Sequence, residues 1–304
     1  MNETEFIWMN GQFVKWEDAK VHVLTHSLHY GTGVFEGVRC YKTDSGPGIF
    51  RLTDHIDRLM NSAKMIGMKD IPFNGEQIID ATKELIRKTK LETGYVRPII
   101  YYGYGKMGLD TVGAKIDVSI AAWPWGAYLG EEGIANGIRV VTSPYLRHDN
   151  NSINSHTKTT GGYVTSMMAK MDALNRGYDE ALMKNANGFV AEGSGENLFI
   201  VKEGKLITPN IEYVLPGITR DSIIKLAKDE GIETSEVDLT LEDVYAADEL
   251  FMCGTAAEMT PIREVDNKQI GSGKPGPITQ KLQALYKDAT HGKNEKWKDW
   301  VELV

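Results

Sequence analysis

Cysteine is scarce in this chain: Cys40 and Cys253 are the only two among 304 residues. They lie far apart and form no C-x-x-C, so neither a disulfide framework nor a zinc site is suggested. A basic block is also missing. The formal net charge is −8, which argues against nucleic acid as a partner. No apolar run approaches the length of a membrane span. The stretch Met1 to Asn10 carries acids and no apolar run, which is not the pattern of a signal peptide. Internal repeats and low-complexity tracts are absent. These absences predict a reducing, cytoplasmic setting with no membrane partner. What is present is ordinary for a globular protein: 41% hydrophobic and 25% charged residues, in a length suited to one large or two medium domains.

The stretch that organises the rest is Asn154-Ser155-His156-Thr157-Lys158-Thr159-Thr160-Gly161-Gly162-Tyr163. A lone lysine sits in small, polar, glycine-flanked sequence. Val164, Met167, Met168, Met171 and Leu174 then recur at helical spacing up to Gly177, which predicts a helix packed through that stripe. Most lysines are solvated. A lysine held out of water instead loses charge, and its free amine becomes a nucleophile able to hold an aldehyde cofactor covalently.

Other stretches leave two readings open. Asn10-Gly11 between apolar runs predicts a hairpin. His26 and His29 lack a clustered third ligand, so structural or surface histidines are expected rather than a metal site. Residues 53–64 read as a helix with Ile56, Leu59, Met60 and Ala63 as its apolar stripe. Arg58 beside that stripe reads either as a surface arginine or as one aimed inward at an anion. Gly103-Tyr104-Gly105-Lys106-Met107-Gly108 matches G-x-G-x-x-G, but a strand follows it where a dinucleotide site needs a helix. The glycines are therefore expected in a loop between antiparallel strands. Glu192, flanked by glycines, is either an exposed turn carboxylate or a buried acid paired with a cation. Thr219, at the start of a helix reaching about Glu230, is an N-cap or part of an anion site. Gly254 to Glu258 form a small-residue turn or an anion nest. Gly276 to Val304 read as largely one helix, or two.

Eight pieces in order carry a resemblance over nearly the whole chain. They are H-Y-G-T-G-V-F-E-G from His29, H-I-D-R-L from His55, Y-V-R-P from Tyr95 and W-G-A-Y-L-G from Trp125. Then come K-T-T-G-G-Y from Lys158, A-E-G-S-G-E-N-L-F from Ala191, L-P-G-I-T-R-D from Leu215 and G-T-A-A-E from Gly254. The set resembles the branched-chain-amino-acid aminotransferases among the fold-type IV pyridoxal-phosphate enzymes. The resemblance implies an α/β fold of two domains: a small N-terminal one over residues 1–125, an interdomain loop over 126–133, and a larger one over 134–304. The cofactor, pyridoxal 5′-phosphate, is expected at their interface.

The resemblance also implies roles. Lys158 matches the lysine that holds the cofactor and shuttles a proton, and Glu192 the acid on the ring nitrogen. Tyr163 matches the phenol on the ring oxygen. Arg58, the backbone N–H groups of Ile218 and Thr219, and Thr255 match the phosphate anchor. Tyr95 with the backbone of Thr255 and Ala256 matches the grip on the substrate α-carboxylate. Arg97, Tyr30 and Tyr128 match positions that accept the side-chain carboxylate of glutamate. Phe35 and Trp125 match apolar walls. Tyr30 is lent by a neighbouring subunit in this family, so a homodimer is the expected minimal unit. The polar run Asn150 to Thr157 matches no motif. The implied reaction is transfer of the amino group of L-leucine, L-isoleucine or L-valine to 2-oxoglutarate. The alternatives are a D-amino-acid transaminase or aminodeoxychorismate lyase of the same fold, a nicotinamide-dependent oxidoreductase, and a catalytically silent binding protein.

Overall fold

The computed structural model describes residues 3–126 and 128–304. Ala127 of the W-G-A-Y-L-G piece and the first two residues of the chain lie outside the described residues. The chain divides into two compact units. The first is Met1–Gly126 with Thr157–Gly162 and Ala289–Val304; the second is Ala127–His156 with Tyr163–Asp288. Two later stretches thus return to the first unit, which a division made in chain order does not provide for.

The first unit is built on an antiparallel sheet. Its order runs Val301–Leu303, Gly46–Phe50, Val38–Thr43, Gly94–Tyr102, Ile116–Trp123, Phe6–Met9, Gln12–Lys15, with Gly33–Phe35 also paired to Gly94–Tyr102. Asn10 and Gly11 both take positive φ, 48° and 90°, between Met9 and its partner Gln12. That is the hairpin the Asn-Gly pair predicts. Gly94–Tyr102 and Ile116–Trp123 pair antiparallel, so the Gly103–Gly108 loop joins two strands of one hairpin. No helix opens there to receive a pyrophosphate, and the nicotinamide reading loses its site.

Two helices, Leu52–Met65 and Gly75–Thr89, supply the apolar cover of this sheet. Ile56, Leu59 and Ala63 of the first and Ile78 and Leu85 of the second are fully buried with Val96, Ile100 and Ile120 from the strands. The second helix opens on a capping box. Asn74 accepts from the Gln77 backbone at 2.9 Å, and the Gln77 side chain accepts from the Asn74 backbone at 2.9 Å, which satisfies otherwise orphaned donors. The chain end departs from expectation. After the Pro277–Thr290 helix come a 3-10 turn, Glu295–Trp300, and the strand Val301–Leu303 paired with Gly46–Phe50. Trp297 and Trp300 stack at 4.2 Å.

The second unit holds the other sheet, in the order Val190–Gly193, Glu180–Lys184, Ile138–Leu146, Glu258–Val265, Glu249–Gly254, Asn197–Lys202, Lys205–Pro209, Thr234–Val237. Its core gathers Ile138, Val140, Leu182, Leu198, Ile200, Leu250 and Met252. No helix among the described residues is long and apolar enough to cross a membrane.

One expectation is reversed here. The helix Tyr163–Asn175 does not pack through its large apolar stripe. Val164, Met167, Met168, Met171 and Leu174 are 39–55% exposed, while Ser166, Ala169 and Ala173 face Ile138–Leu146 and Glu180–Lys184. Small side chains let the helix axis lie close to the strands, where methionines would hold it off. Periodicity marks a face; it does not say which face the sheet takes. Ala169→Leu is therefore expected to cost about 1–3 kcal/mol by overpacking, whereas Met167→Ala should cost far less than the roughly 2–5 kcal/mol of a buried methionine. Urea unfolding of both variants measures this, and the opposite ranking would restore the stripe as the packed face.

Candidate active site

Lys158 is positioned by a short stretch bridged to a strand. Thr157–Gly162 runs antiparallel beside Gly33–Phe35, with a bridge between Val34 and Thr159. The Phe35 N–H donates to the Lys158 carbonyl at 3.0 Å, and those of Thr160 and Gly161 to Gly33 and Gly31 at 2.8 and 3.1 Å. The Thr160 hydroxyl donates to the Gly31 carbonyl at 2.8 Å and accepts from the Gly33 N–H at 3.1 Å. A side chain at Gly31, whose φ is 64°, would come 2.7 Å from the Gly161 backbone. The H-Y-G-T-G and K-T-T-G-G pieces are thus two sides of one close contact. The Lys158 N–H also donates to Ser62 Oγ at 3.3 Å.

The lysine leads to a small aromatic box within the same unit. Lys158 Nζ lies 5.1 Å from the Phe35 ring centroid, and the Arg97 guanidinium carbon lies 4.7 Å from that same ring. Arg97 is also 5.2 Å from the Tyr95 ring, and its Nη2 donates to Tyr95 Oη at 3.3 Å. Its Nε is buried without a hydrogen-bond partner, which is unusual for so strong a donor. The Tyr95 ring meets Trp125 edge-on at 4.6 Å. A Cβ at position 37 would overlap Tyr95 Oη, so the phenol occupies space that only Gly37 leaves. Arg39, to which the motifs assign no role, donates through Nη2 to the carbonyls of Trp125 and Gly126 at 3.1 and 2.7 Å. Sequence periodicity carries no signal for that contact, because it joins a strand to a loop.

Arg58 is neither a surface arginine nor isolated. Its side chain is 12% exposed and forks onto Glu36. Tyr30 and Tyr128 are each 40% exposed. Tyr30 contacts the ring of His26 at 4.5 Å, and Lys170 Nζ lies 5.6 Å from the Tyr128 ring. His26 bonds Thr32 Oγ1 and the Gly108 carbonyl, each at 2.7 Å.

In the second unit, Glu192 is buried and makes an ion pair through Oε1 with Arg147 Nε. Its Oε2 accepts from Asn197 Nδ2 at 3.0 Å and from the Leu215 N–H at 3.3 Å. Of the two readings of this acid, the buried, paired one holds. Asn197 also donates to the Leu215 carbonyl at 3.0 Å. A Cβ at Gly217 would overlap Asn197 Oδ1. Asn197 therefore ties the acid to the turn that opens the helix Ile218–Asp229. That helix is capped by Gly217, so Thr219 is not its N-cap. Thr219 Oγ1 lies 3.4 Å from Tyr286 Oη, and the first turn offers N–H groups that a helix cannot itself use and an anion can. The turn Thr255–Ala257 follows the strand Glu249–Gly254, whose last residue packs on Gly195 and Glu196. Tyr163 begins the helix Tyr163–Asn175.

The unassigned polar run also has a structural use. Asn150 Nδ2 donates to the Glu212 carbonyl at 2.8 Å, Ser155 N–H to Asn150 Oδ1 at 2.8 Å, and His156 Nε2 bonds the Ile211 carbonyl at 3.0 Å. No local pattern in the sequence points to Arg147 as a partner of Glu192. The only signal for Asn197 was its place in the E-G-S-G-E-N-L-F piece.

Charge in the second unit is arranged in pairs. Arg147 neutralises Glu192, and Lys170 Nζ meets Glu180 at 2.7 Å. Glu196 has no ion-pair partner among the described residues; it accepts from the Gly195 N–H at 3.1 Å. Burial, reinforced by the nearby Glu180 charge, pushes its carboxyl up to about 8. Among the described residues no group of three or more His, Cys, Asp or Glu is placed to hold a metal ion.

This donor set suits pyridoxal 5′-phosphate. A carboxylate kept beside an arginine can face a protonated ring nitrogen, a helix start and a turn hydroxyl can take a phosphate, and Gly195 leaves open space where a side chain would stand.

Comparison with known proteins agrees. The Amino-transferase class IV family matches residues 33–265. The chain is 50% identical to the branched-chain-amino-acid aminotransferase of Pseudomonas aeruginosa, over 98% of this chain and 97% of that one. The crystal structure of the Escherichia coli branched-chain amino acid aminotransferase superposes with a TM-score of 0.96, at 45% identity and 99% coverage of both chains. That of the branched-chain amino acid aminotransferase of Thermobaculum terrenum, in its PLP-bound holo-form, gives 0.92 at 33% identity, covering 99% of this chain and 98% of that one.

The raised carboxyl of Glu196 yields a test. Glu196 has an ordinary value of 4.5 when unfolded and about 8 when folded. The folded state then holds the extra proton between those values, and stability falls as pH rises through that window. Glu196→Gln cannot ionise. It is expected to flatten this fall between about pH 5 and 8, read as urea midpoints; parallel curves for both proteins would refute it.

Proposed function

The chain belongs to the class IV aminotransferase family, and from that membership we propose which of its residues carry the reaction. It transaminates L-leucine, L-isoleucine and L-valine with 2-oxoglutarate by ping-pong chemistry, giving branched 2-oxo acids and L-glutamate, with pyridoxal 5′-phosphate as cofactor. When bound, that cofactor supplies the aldehyde that takes up the amino group and the ring that accepts electrons.

Lys158 holds the cofactor aldehyde and afterwards moves the proton from the substrate Cα. Its N–H is held by Ser62 Oγ, and its carbonyl and the residues after it by Gly31–Phe35, so the amine returns to one place. Glu192 keeps a proton on the ring nitrogen, with Arg147 and Asn197 holding its carboxylate in place. Tyr163 donates to the ring oxygen. Arg58, the N–H groups of Ile218 and Thr219, and Thr255 take the phosphate. Tyr95 and the backbone of Thr255 and Ala256 orient the α-carboxylate. Residues 126–133 serve as the interdomain loop.

The observation that carries the substrate assignment is the setting of Arg97. A guanidinium lies against the rings of Phe35, Tyr95 and Trp123 at 4.7, 5.2 and 6.0 Å, with a buried Nε that has no partner. Phe35 and Trp125 offer apolar wall to a branched side chain, and Arg97 offers charge to the carboxylate of glutamate. Tyr30 and Tyr128 join Arg97 on that carboxylate. Tyr30 comes from a second copy, which makes a homodimer the smallest working unit. The enzyme acts in the cytoplasm.

Lys158→Ala is expected to abolish both the yellow colour of the purified protein and turnover; a coloured, fully active variant would end this reading. Arg97→Ala should lower kcat/KM for glutamate by about 10-fold or more and that for leucine by about threefold or less. Steady-state rates over a donor panel decide it, and equal losses for both donors would remove Arg97 from its role.

A further inference from the structure

Glu36 stands between two residues already placed at the site, Phe35 and Gly37, yet nothing in the reaction uses it. It is wholly buried, and both its oxygens are engaged. Arg58 Nε donates to Oε1 at 2.6 Å and Arg58 Nη2 to Oε2 at 2.8 Å. His55 Nδ1 also donates to Oε2, at 2.8 Å. A fork meeting a carboxylate on two atoms fixes the plane of the guanidinium as well as its position. His55 and Arg58 lie one turn apart on the helix Leu52–Met65, so one carboxylate grips both.

The charges agree with the geometry. Burial alone would push the Glu36 carboxyl up, but the Arg58 charge and the hydrogen bonds from His55 and Arg58 hold it well below the usual carboxylate range. Burial pushes the His55 imidazole down, against the pull of Glu36. The trio thus contains one cation and one anion, with His55 bracing the anion. An arginine so paired is a poor attractor of ions in general. What remains to it is direction.

We propose that Glu36 is a positioning residue for the cofactor phosphate: through its fork with Arg58 it aims the guanidinium at that group, and His55 steadies the carboxylate. The inference rests on Arg58 being a phosphate ligand. It predicts that Glu36 matters to a ligand only insofar as the ligand carries a phosphate. A residue that merely supported the fold would affect pyridoxal and pyridoxal 5′-phosphate alike.

The test is titration of the full-length, cofactor-free chain with each of these two compounds, followed by absorbance. The parent is compared with Glu36→Gln, Arg58→Met and the double variant. Glu36→Gln is expected to weaken pyridoxal 5′-phosphate by about 10-fold and pyridoxal by less than about twofold. Added to Arg58→Met, it should cost nothing further, since its effect passes through that arginine. Equal weakening of both ligands, or a further loss in the double variant, overturns the proposal. Arg58→Met binding the phosphate form as tightly as the parent would instead overturn the phosphate-ligand reading beneath it. If Glu36→Gln does not fold, Glu36→Asp decides in the same way. It keeps the buried charge and retracts it by one methylene, so a loss confined to the phosphate form supports the inference and a loss shared by pyridoxal overturns it.

Discussion

The backbone contact between Gly31–Phe35 and Lys158–Gly161 is the constraint on which the rest of the first unit depends. A lysine side chain has four rotatable bonds, and a reactive amine on a loose backbone would wander over several ångströms. Here the lysine's own backbone N–H is held by Ser62 Oγ, and the chain from its carbonyl onward is bridged to Gly31–Phe35 by backbone hydrogen bonds and the Thr160 hydroxyl. The contact is close enough to forbid side chains at Gly31. Because the same short segment continues into Phe35, Glu36 and Gly37, one strap orders several things. It sets the ring beside the amine, the carboxylate that grips Arg58, and the gap that admits Tyr95 Oη.

Buried charge follows a simple arrangement. Glu36 has Arg58, Glu192 has Arg147, and Glu180 has Lys170. Each pair satisfies the carboxylate that would otherwise be costly to bury. Glu196 makes no ion pair among the described residues, and burial with the nearby Glu180 charge pushes its carboxyl up. The two cysteines are buried, and burial pushes their thiols up, so neither is poised as a nucleophile.

Much of the scaffold was legible from local chemistry. Asn10-Gly11 needs only its own φ preferences to make a hairpin. The glycine-rich loop after Tyr102 is distinguishable from a dinucleotide site by the strand that follows it. The methionine-rich helix is where the pattern and the packing part. Its periodicity was real, but its small face was the one pressed on the sheet. The polar run before Lys158 looked featureless because its partners, Ile211 and Glu212, lie some 55 to 62 positions away. Arg147 and Arg39 were invisible for the same reason.

By itself the sequence determined most of the elements and the family whose ordered motifs it carries, because those follow from residue types and spacings along one line. Only the tertiary structure decided which cation meets which buried acid, which side of a helix is covered, and why particular glycines are required. Those outcomes depend on atoms brought within about 3 Å by packing, and no local pattern records a neighbour that arrives from a distant part of the chain.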